Sequence, residues 1–472
     1  MQTRIPVIAV FDIGKTNKKL LVFDERYQII KEEIVVFDEI TDDDGFPCEN
    51  LDALVHWMLT HFQQLKASPV YRLRAVNFTT YGASLVYVDA VGKRVGALYN
   101  YLKPYPGDLL KIFTEQTGNA AFVQDTCSPL MGHLNAGMQL FWFKHRKPQL
   151  YAQVTTVLHF PQYLSFLLTG RKVAEITHVG CHSAMWNFRK QQYHAWLKAE
   201  GLLDKLGALT PGDNVVPVQN EVTGEWIAIG TGLHDSSAAM IPYLQCFTVP
   251  FMILSTGTWS ISLNPFNSRL PGAAALASGG LSYLTFQGKP VRVSMLFAGN
   301  DHEQQVRRIA RHFNIPADFY KTVAADPVLL DQCWKEAAGG GAVRSYSGTA
   351  IPCLFGQRAL DMFKTPGAAY HQLMMDMALQ QEASSRQVLT DGPVSRIYVD
   401  GGFSKNGLFI SLLARMFPQQ EVFAAAMNQG TALGAALVLH GHWNRQPVPS
   451  SLIQLKKIPG QKAGAGSAAV IR

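Results

Sequence analysis

Short apolar runs separated by small polar turns recur along the chain, twice, in the same order. Pro6–Asp12 (PVIAVFD) is apolar and β-branched, the pattern of a buried strand. Gly14 permits a tight turn, and Lys19–Asp24 (KLLVFD) reads as a second strand, so the chain opens strand, polar turn, strand. From Pro250 the element repeats: FMILS is apolar, TGT is a polar turn, and WSISLN alternates as a strand does. Farther on, Leu73–Thr80 ends at Tyr81-Gly82, and Ser395–Asp400 ends at Gly401-Gly402. The halves also close alike. Trp226–Ile229 leads through GTGLHD to an apolar helix, SSAAMIPYL, and Val422–Ala425 leads through AMNQG to another, TALGAALVLHG. Leu51–Ala67 and Ala369–Leu389 carry apolar residues at helical spacing. Ala338–Ser347 reads as a flexible loop, and the segment after Gly460 as a loosely held tail. The repeat is too long for a solenoid unit. It predicts two duplicated α/β domains, 1–245 and 246–472, each a mixed sheet with helices, with ligands in the cleft between them.

Composition narrows the partners. Apolar residues make up 47% of the 472 and charged residues only 16%, enough for large cores. The net charge of +7 comes from scattered Lys and Arg with no basic run, which favours anionic small molecules over nucleic acid. Six cysteines at 48, 127, 181, 246, 333 and 353 include no C-x-x-C pair, so the reading is free thiols in a reducing cytoplasm. No apolar run reaches membrane-spanning length, and the N-terminus lacks a leader pattern. The low charge content is compatible with a homodimer.

The stretch AVFDIGKTN (Ala9–Asn17) ends as a Walker A loop does, but strands flank it and no helix follows Thr16. What remains is a hairpin turn with Asp12 at its start and Thr16, Asn17 and Lys18 around its tip. A carboxylate beside phosphates needs an intervening cation, of which Mg2+ is the usual one. STGTWS (Ser255–Ser260) repeats a small hydroxyl-bearing turn in the other half, so two turns would close on a triphosphate from both sides.

With these residues the chain resembles the FGGY-type carbohydrate kinases of the actin-like ATPase architecture, over nearly its whole length. Asp12-Ile13-Gly14-Lys15-Thr16-Asn17 resembles the first phosphate motif and Ser255-Thr256-Gly257-Thr258-Trp259 the second. Asp400-Gly401-Gly402-Phe403-Ser404-Lys405-Asn406 resembles the adenosine motif, whose paired glycines let the backbone approach the nucleotide. Asn428–Ala436 resembles the closing helix motif, and Gly232-Leu233-His234-Asp235-Ser236 the place of the catalytic aspartate. Taken alone, Asp235 would read as a helix N-cap. The resemblance implies actin-like (ribonuclease H-like) domains, ATP and Mg2+, with Asp12 holding the metal and Asp235 the general base that phosphoryl transfer needs. Nucleotide contacts would come from Asp12, Gly14, Lys15, Thr16, Asn17, Lys18, Gly257, Thr258, Gly299, Gly401, Gly402, Ser404, Lys405 and Asn406. Lys15 stands where relatives have a small residue, and either neutralises the γ-phosphate or points into solvent. Met295–Asn300 stands where relatives bring a helix toward the adenine.

For the sugar, the resemblance implies Gly82, Ala83, Asn100, His234 and Asp235. Tyr99-Asn100 replaces the family's Arg-Asp pair, so Asn100 reads as a sugar contact or as a plain turn residue. His234-Asp235 is similar to the order in L-rhamnulose kinases, and His234 either binds a sugar hydroxyl or is satisfied by backbone groups. His178, Cys181 and His182 have a spacing that suits no standard zinc site. Their segment reads as a loop reaching toward the sugar, with Trp186 in the core. The expected activity is ATP-dependent phosphorylation of a primary hydroxyl of a small ketose. A deoxy-ketohexose such as L-rhamnulose or L-fuculose fits best, with Tyr81 and Tyr99 offering apolar surface to a methyl group. The alternatives are a xylulose, ribulose or glycerol-like polyol kinase, or a silent sugar sensor. Intact Asp12, Asp235 and both turns argue against the sensor.

Overall fold

The computed structural model describes residues 4–339, 354–390, 392, 394–426 and 429–459. Asn428, residues 340–347 of the expected loop and the tail from Gly460 lie outside them. The helix Pro327–Gly339 runs into the start of that loop.

Two seven-stranded sheets carry the molecule. The first has the order Val215–Gln219, Trp226–Gly230, Tyr71–Thr80, Ile5–Ile13, Lys18–Asp24, Ile29–Val35, and the two-residue strand Leu233–His234 pairs with the end of Tyr71–Thr80. Its central strands Trp226–Gly230, Tyr71–Thr80 and Ile5–Ile13 are parallel, and the opening hairpin is antiparallel. The second sheet repeats this arrangement. Phe251–Thr256 and Ser260–Asn264 form its hairpin, and Phe251–Thr256 runs parallel to Arg396–Gly401, which runs parallel to Glu421–Ala426. Chain order breaks the symmetry at one edge. The antiparallel edge strand precedes its neighbour in the first sheet, whereas Gln454–Lys457 follows its neighbour in the second.

The central strands are near-continuous apolar runs because both faces are covered. In Ile5–Ile13 the alternate residues Val7, Ala9, Phe11 and Ile13 pack against the helix Leu51–Lys66, while Ile8 and Val10 face the other domain. Local capping fixes the helix starts. Asn50 accepts from Ala53 N at 3.1 Å, and Thr365 accepts from Ala368 N at 3.1 Å to start the long helix Pro366–Leu389.

One apolar core joins the two sheets through a pair of helices, Asp235–Cys246 and Gly430–Leu437. Small residues let them approach: a Cβ on Gly434 would overlap the carbonyl of Ala238. Asn77 Nδ2 donates to Ala435 O across this seam at 2.7 Å. The pairing puts the start of each closing helix at the floor of the cleft. Among the described residues no helix is long and apolar enough to cross a membrane.

Candidate active site

Two cavities meet at Gly257, one of ≈ 240 Å³ and one of ≈ 600 Å³. Lys15, Gly82, His234, Asp235, Gly257 and Thr258 line the first; Gly257, Gly299, Gly402, Lys405 and Asn406 line the second. Residues from the two halves of the sequence thus share one continuous cleft.

The first turn is closed by Gly14 N donating to Asn17 O at 3.0 Å. Thr16 and Asn17 are exposed at its tip. Asp12 is opposite Lys19 in the hairpin and is buried. Burial pushes its carboxyl up to about 7, against the pull of Lys19, and the charge of Asp235 adds to the rise. The two carboxylates are therefore electrostatically coupled, although Asp12 itself lines neither cavity. Lys15 reaches the wall of the first cavity, with Nζ 2.6 Å from Glu39. Lys18 departs from the expected phosphate role. Its Nζ is buried against Glu49 at 2.6 Å and donates to Lys15 O at 3.0 Å, while Glu49 also accepts from Tyr81 at 3.2 Å. An apolar surround leaves a lysine no cheaper course than pairing where it lies, so Lys18 braces the turn from behind.

The second turn is shaped by Gly257 N donating to Trp259 O at 2.9 Å, with Trp259 resting on Phe297, ring centroids 4.4 Å apart. The helix Ala298–Phe313 begins directly against it, since a Cβ on Gly299 would overlap the carbonyl of Gly257. The paired glycines have different tasks. Gly401 has φ +83°, and a Cβ there would overlap Thr256 O, whereas Gly402 has no atom within 4 Å of a Cβ position and faces the second cavity. Of the two, only Gly402 leaves open room in the cleft. Ser404 Oγ turns back to Gly401 O at 2.7 Å, away from the expected nucleotide contact. Asn406 lines the cavity, but its Oδ1 caps the next helix through Phe409 N at 3.0 Å and its Nδ2 donates to Tyr370 at 2.8 Å.

Asp235 opens its helix at the boundary of the first cavity. Its Oδ1 accepts from Ser236 N at 2.6 Å and Ser236 Oγ at 3.1 Å, and lies 3.3 Å from His234 Nε2. Burial pushes its pKa up to about 6. At neutral pH it is an ionised acceptor with more appetite for a proton than a solvated carboxylate. His234 and His182 are held neutral, both pushed down to about 3, chiefly by burial. His234 N donates to Thr177 Oγ1 at 3.0 Å, and that hydroxyl donates to the buried Glu175 at 2.6 Å. This strap fixes the His-Asp pair.

The sugar-side residues divide. Gly82 faces the cavity, and a Cβ there would stand 3.0–3.2 Å from the His182 and His234 rings. Ala83 has φ 62° and is buried just behind. Asn100 lines neither cavity. Its Nδ2 donates to Pro47 O at 3.0 Å and its Oδ1 accepts from Leu102 N at 3.0 Å, so one end of the amide pins its own turn and the other ties that turn to the Pro47 segment. Tyr99 is likewise withdrawn, donating to Asp43 at 2.8 Å and packing on Trp142. Tyr101, two residues on, takes its place beside Tyr81, ring centroids 5.7 Å apart. Trp186 is buried in the core, as expected. The cavity also takes Tyr283, Met295 and Thr431 from the second half, and Tyr283 meets His182 Nδ1 at 3.0 Å. Met295 and Thr431 fall in stretches that the sequence singles out, Met295–Asn300 and Asn428–Ala436, whereas Tyr283 is marked only by lying in an apolar strand, Gly280–Leu284.

A model of the FGGY family of carbohydrate kinases, N-terminal domain, matches residues 7–241, and one of the carbohydrate kinase FGGY C-terminal domain matches 248–447. The chain belongs to the FGGY family of carbohydrate kinases. It is an ATP-dependent phosphotransferase of that family. A rhamnulokinase of Klebsiella pneumoniae (strain 342) is 24% identical over 79% of this chain and 76% of its own length. The fold superposes on a carbohydrate kinase from Novosphingobium aromaticivorans with TM-score 0.77 at 20% identity, covering 98% of this chain and 96% of that one. A ligand-bound xylulose kinase from Lactobacillus acidophilus gives TM-score 0.74 at 14% identity, covering 96% and 93%.

Proposed function

We propose that this FGGY kinase phosphorylates a primary hydroxyl of a deoxy-ketohexose of the L-rhamnulose or L-fuculose kind, in the cytoplasm. The observation that carries the reading is His234-Asp235 at one end of a cleft whose walls are the two phosphate turns. The apolar side of the same cavity, formed by Tyr81, Tyr101, Leu134 and Ile261, suits a methyl group. The 24% identity to a rhamnulokinase supports the substrate class.

Residues 1–245 would carry the sugar and the base, and 246–472 the nucleotide. The triphosphate lies between the turns at Asp12–Asn17 and Ser255–Thr258, with the adenosine in the larger cavity over Gly402. Asp235 accepts the proton of the primary hydroxyl as its oxygen attacks the γ-phosphorus. His234 and the unpartnered Nε2 of His182 orient the sugar, and Lys15 is within the cavity to meet transferred charge. Mg2+ fits the chemistry of the donors present: Asp12 offers a hard carboxylate oxygen at the first turn, and the nearby Asp235 adds negative charge. When bound, the ion neutralises phosphate charge. Positioning and exclusion of water do the rest.

A coupled ADP-release assay over ketoses and polyols tests the reading. The deoxy-ketohexoses should have the highest kcat/KM, and one buried methyl is worth roughly 10–200-fold over the analogue lacking it. Preference for xylulose, ribulose or glycerol would overturn the substrate. Sugar binding with no turnover on any of them would favour a silent sensor.

A further inference from the structure

Three metal-ligating side chains converge at the sugar end of the cleft in a way no sequence spacing reveals. One ligand atom each from Cys181, His182 and His234 lies within 4.8 Å of the others, and all three residues are buried. Gly82 creates the room between the rings: a point at its missing Cβ is 3.2 Å from both His182 Nε2 and His234 Nε2. His182 Nε2 is the independent sign of a ligand. It has no hydrogen-bond partner among the described residues, although the residue is only 6% exposed and lines the cavity. Its other nitrogen is held by Tyr283 at 3.0 Å, the kind of outer bond that orients a metal-binding imidazole.

We propose that Cys181, His182 and His234 form a site for a borderline-soft divalent cation of the zinc class, open to the cleft at its fourth position. Two nitrogens and a sulfur select Zn2+ or Co2+ over the hard Mg2+ of phosphoryl transfer. Zinc bonds of about 2.0–2.3 Å need the ligands to draw in by roughly 1 Å, within reach of small side-chain rotations. As the metal–sulfur bond forms, the Cys181 thiol releases its proton to solvent. The ion would stand in front of Asp235, whose Oδ1 is 3.3 Å from His234 Nε2, and would occupy the place of the sugar. Zinc would then inhibit in competition with the sugar. That consequence rests on the proposed function; the binding does not.

The test uses the full chain, freed of metal by chelation and without nucleotide, because ATP itself binds zinc. Co2+ titration should produce thiolate-to-cobalt charge-transfer absorption and tetrahedral visible bands. Zn2+ should abolish both, and excess Mg2+ should not. In Cys181→Ala the charge-transfer band should vanish, and in His182→Asn affinity should fall at least about tenfold. Cys181→Ser, matched by its melting curve to the parent, replaces the alanine variant if that one fails to fold. Cys181→Ala should also turn over as the parent does while losing most of its zinc inhibition. An octahedral cobalt spectrum without the thiolate band, or undiminished binding in the Cys181 variants, would overturn the proposal. Binding with the expected spectrum but no kinase activity would leave the metal site standing and remove only the proposed function.

Discussion

Replacing Asp235 by Asn separates the chemical task of this carboxylate from its structural one. The amide oxygen of Asn can keep both bonds that Oδ1 accepts, from Ser236 N at 2.6 Å and Ser236 Oγ at 3.1 Å, so the helix start should persist. What is lost is the proton acceptor, a role worth roughly 10²–10⁴-fold, or about 3–5 kcal/mol of barrier. Stability should move the other way or not at all. Burial raises the Asp235 pKa from the usual 3.8 to about 6. A raised carboxylate contributes stability that is present below the unfolded pKa and lost as pH rises through the folded one. At neutral pH the ionised group therefore opposes folding, by about 3 kcal/mol if fully buried. With 34% of the side chain exposed, screening reduces this to about 1 kcal/mol. The amide removes that cost but forfeits about 0.3–1 kcal/mol of favourable charge in the first helical turn. The expected result is kcat at least about 100-fold lower, with an unchanged or slightly higher melting temperature at neutral pH and nucleotide still bound. ADP release and thermal melts in mild acid and at neutral pH measure both. Turnover within about tenfold of the parent would refute the base assignment, and a loss of about 2 kcal/mol would refute the structural account.

Three further outcomes follow from the same geometry. With saturating ATP, kcat/KM for the sugar should fall as pH drops through about 6, where Asp235 takes up its proton; a profile flat across that point would contradict it. Lys18→Met should cost about 3–5 kcal/mol in urea unfolding, because Glu49 is left as an unpaired charge, and adding Glu49→Gln should recover part of it. Unchanged stability with a raised KM for ATP would instead make Lys18 a nucleotide contact. Gly401→Ala should lower stability by at least about 1–2 kcal/mol through its positive φ alone, whereas Gly402→Ala should melt as the parent does and weaken ATP binding. Equal effects of the two substitutions in both measurements would refute the division of tasks.

Much of the fold was legible because it is written locally. Alternation in KLLVFD and WSISLN, the unbroken apolar run PVIAVFD and the small turns between them specify two hairpins, and the hairpins stand where the sequence puts them. The same holds for Asp235, whose position at a strand-to-helix junction follows from its neighbours. The fate of individual polar side chains was not legible. Lys18 and Lys15 are three residues apart on one turn, yet one is sealed against Glu49 and the other reaches the cleft. Asn100 and Tyr99 looked like sugar contacts, but Pro47 and Asp43, 53 and 56 residues away in the chain, hold them, and Tyr101 took the wall. Whether a polar group is free for a ligand depends on which partner reaches it first, and those partners are remote: Tyr283 meets His182 from 101 residues away. The sequence by itself determined the strands, the duplicated plan and the small polar turns of the two hairpins, because each depends on the residues next to it. Only the tertiary structure decided which side chains face the cleft and that the rings of His182 and His234 meet over Gly82 with Cys181 close by, because packing two sheets against one seam sets distances that no spacing along the chain encodes.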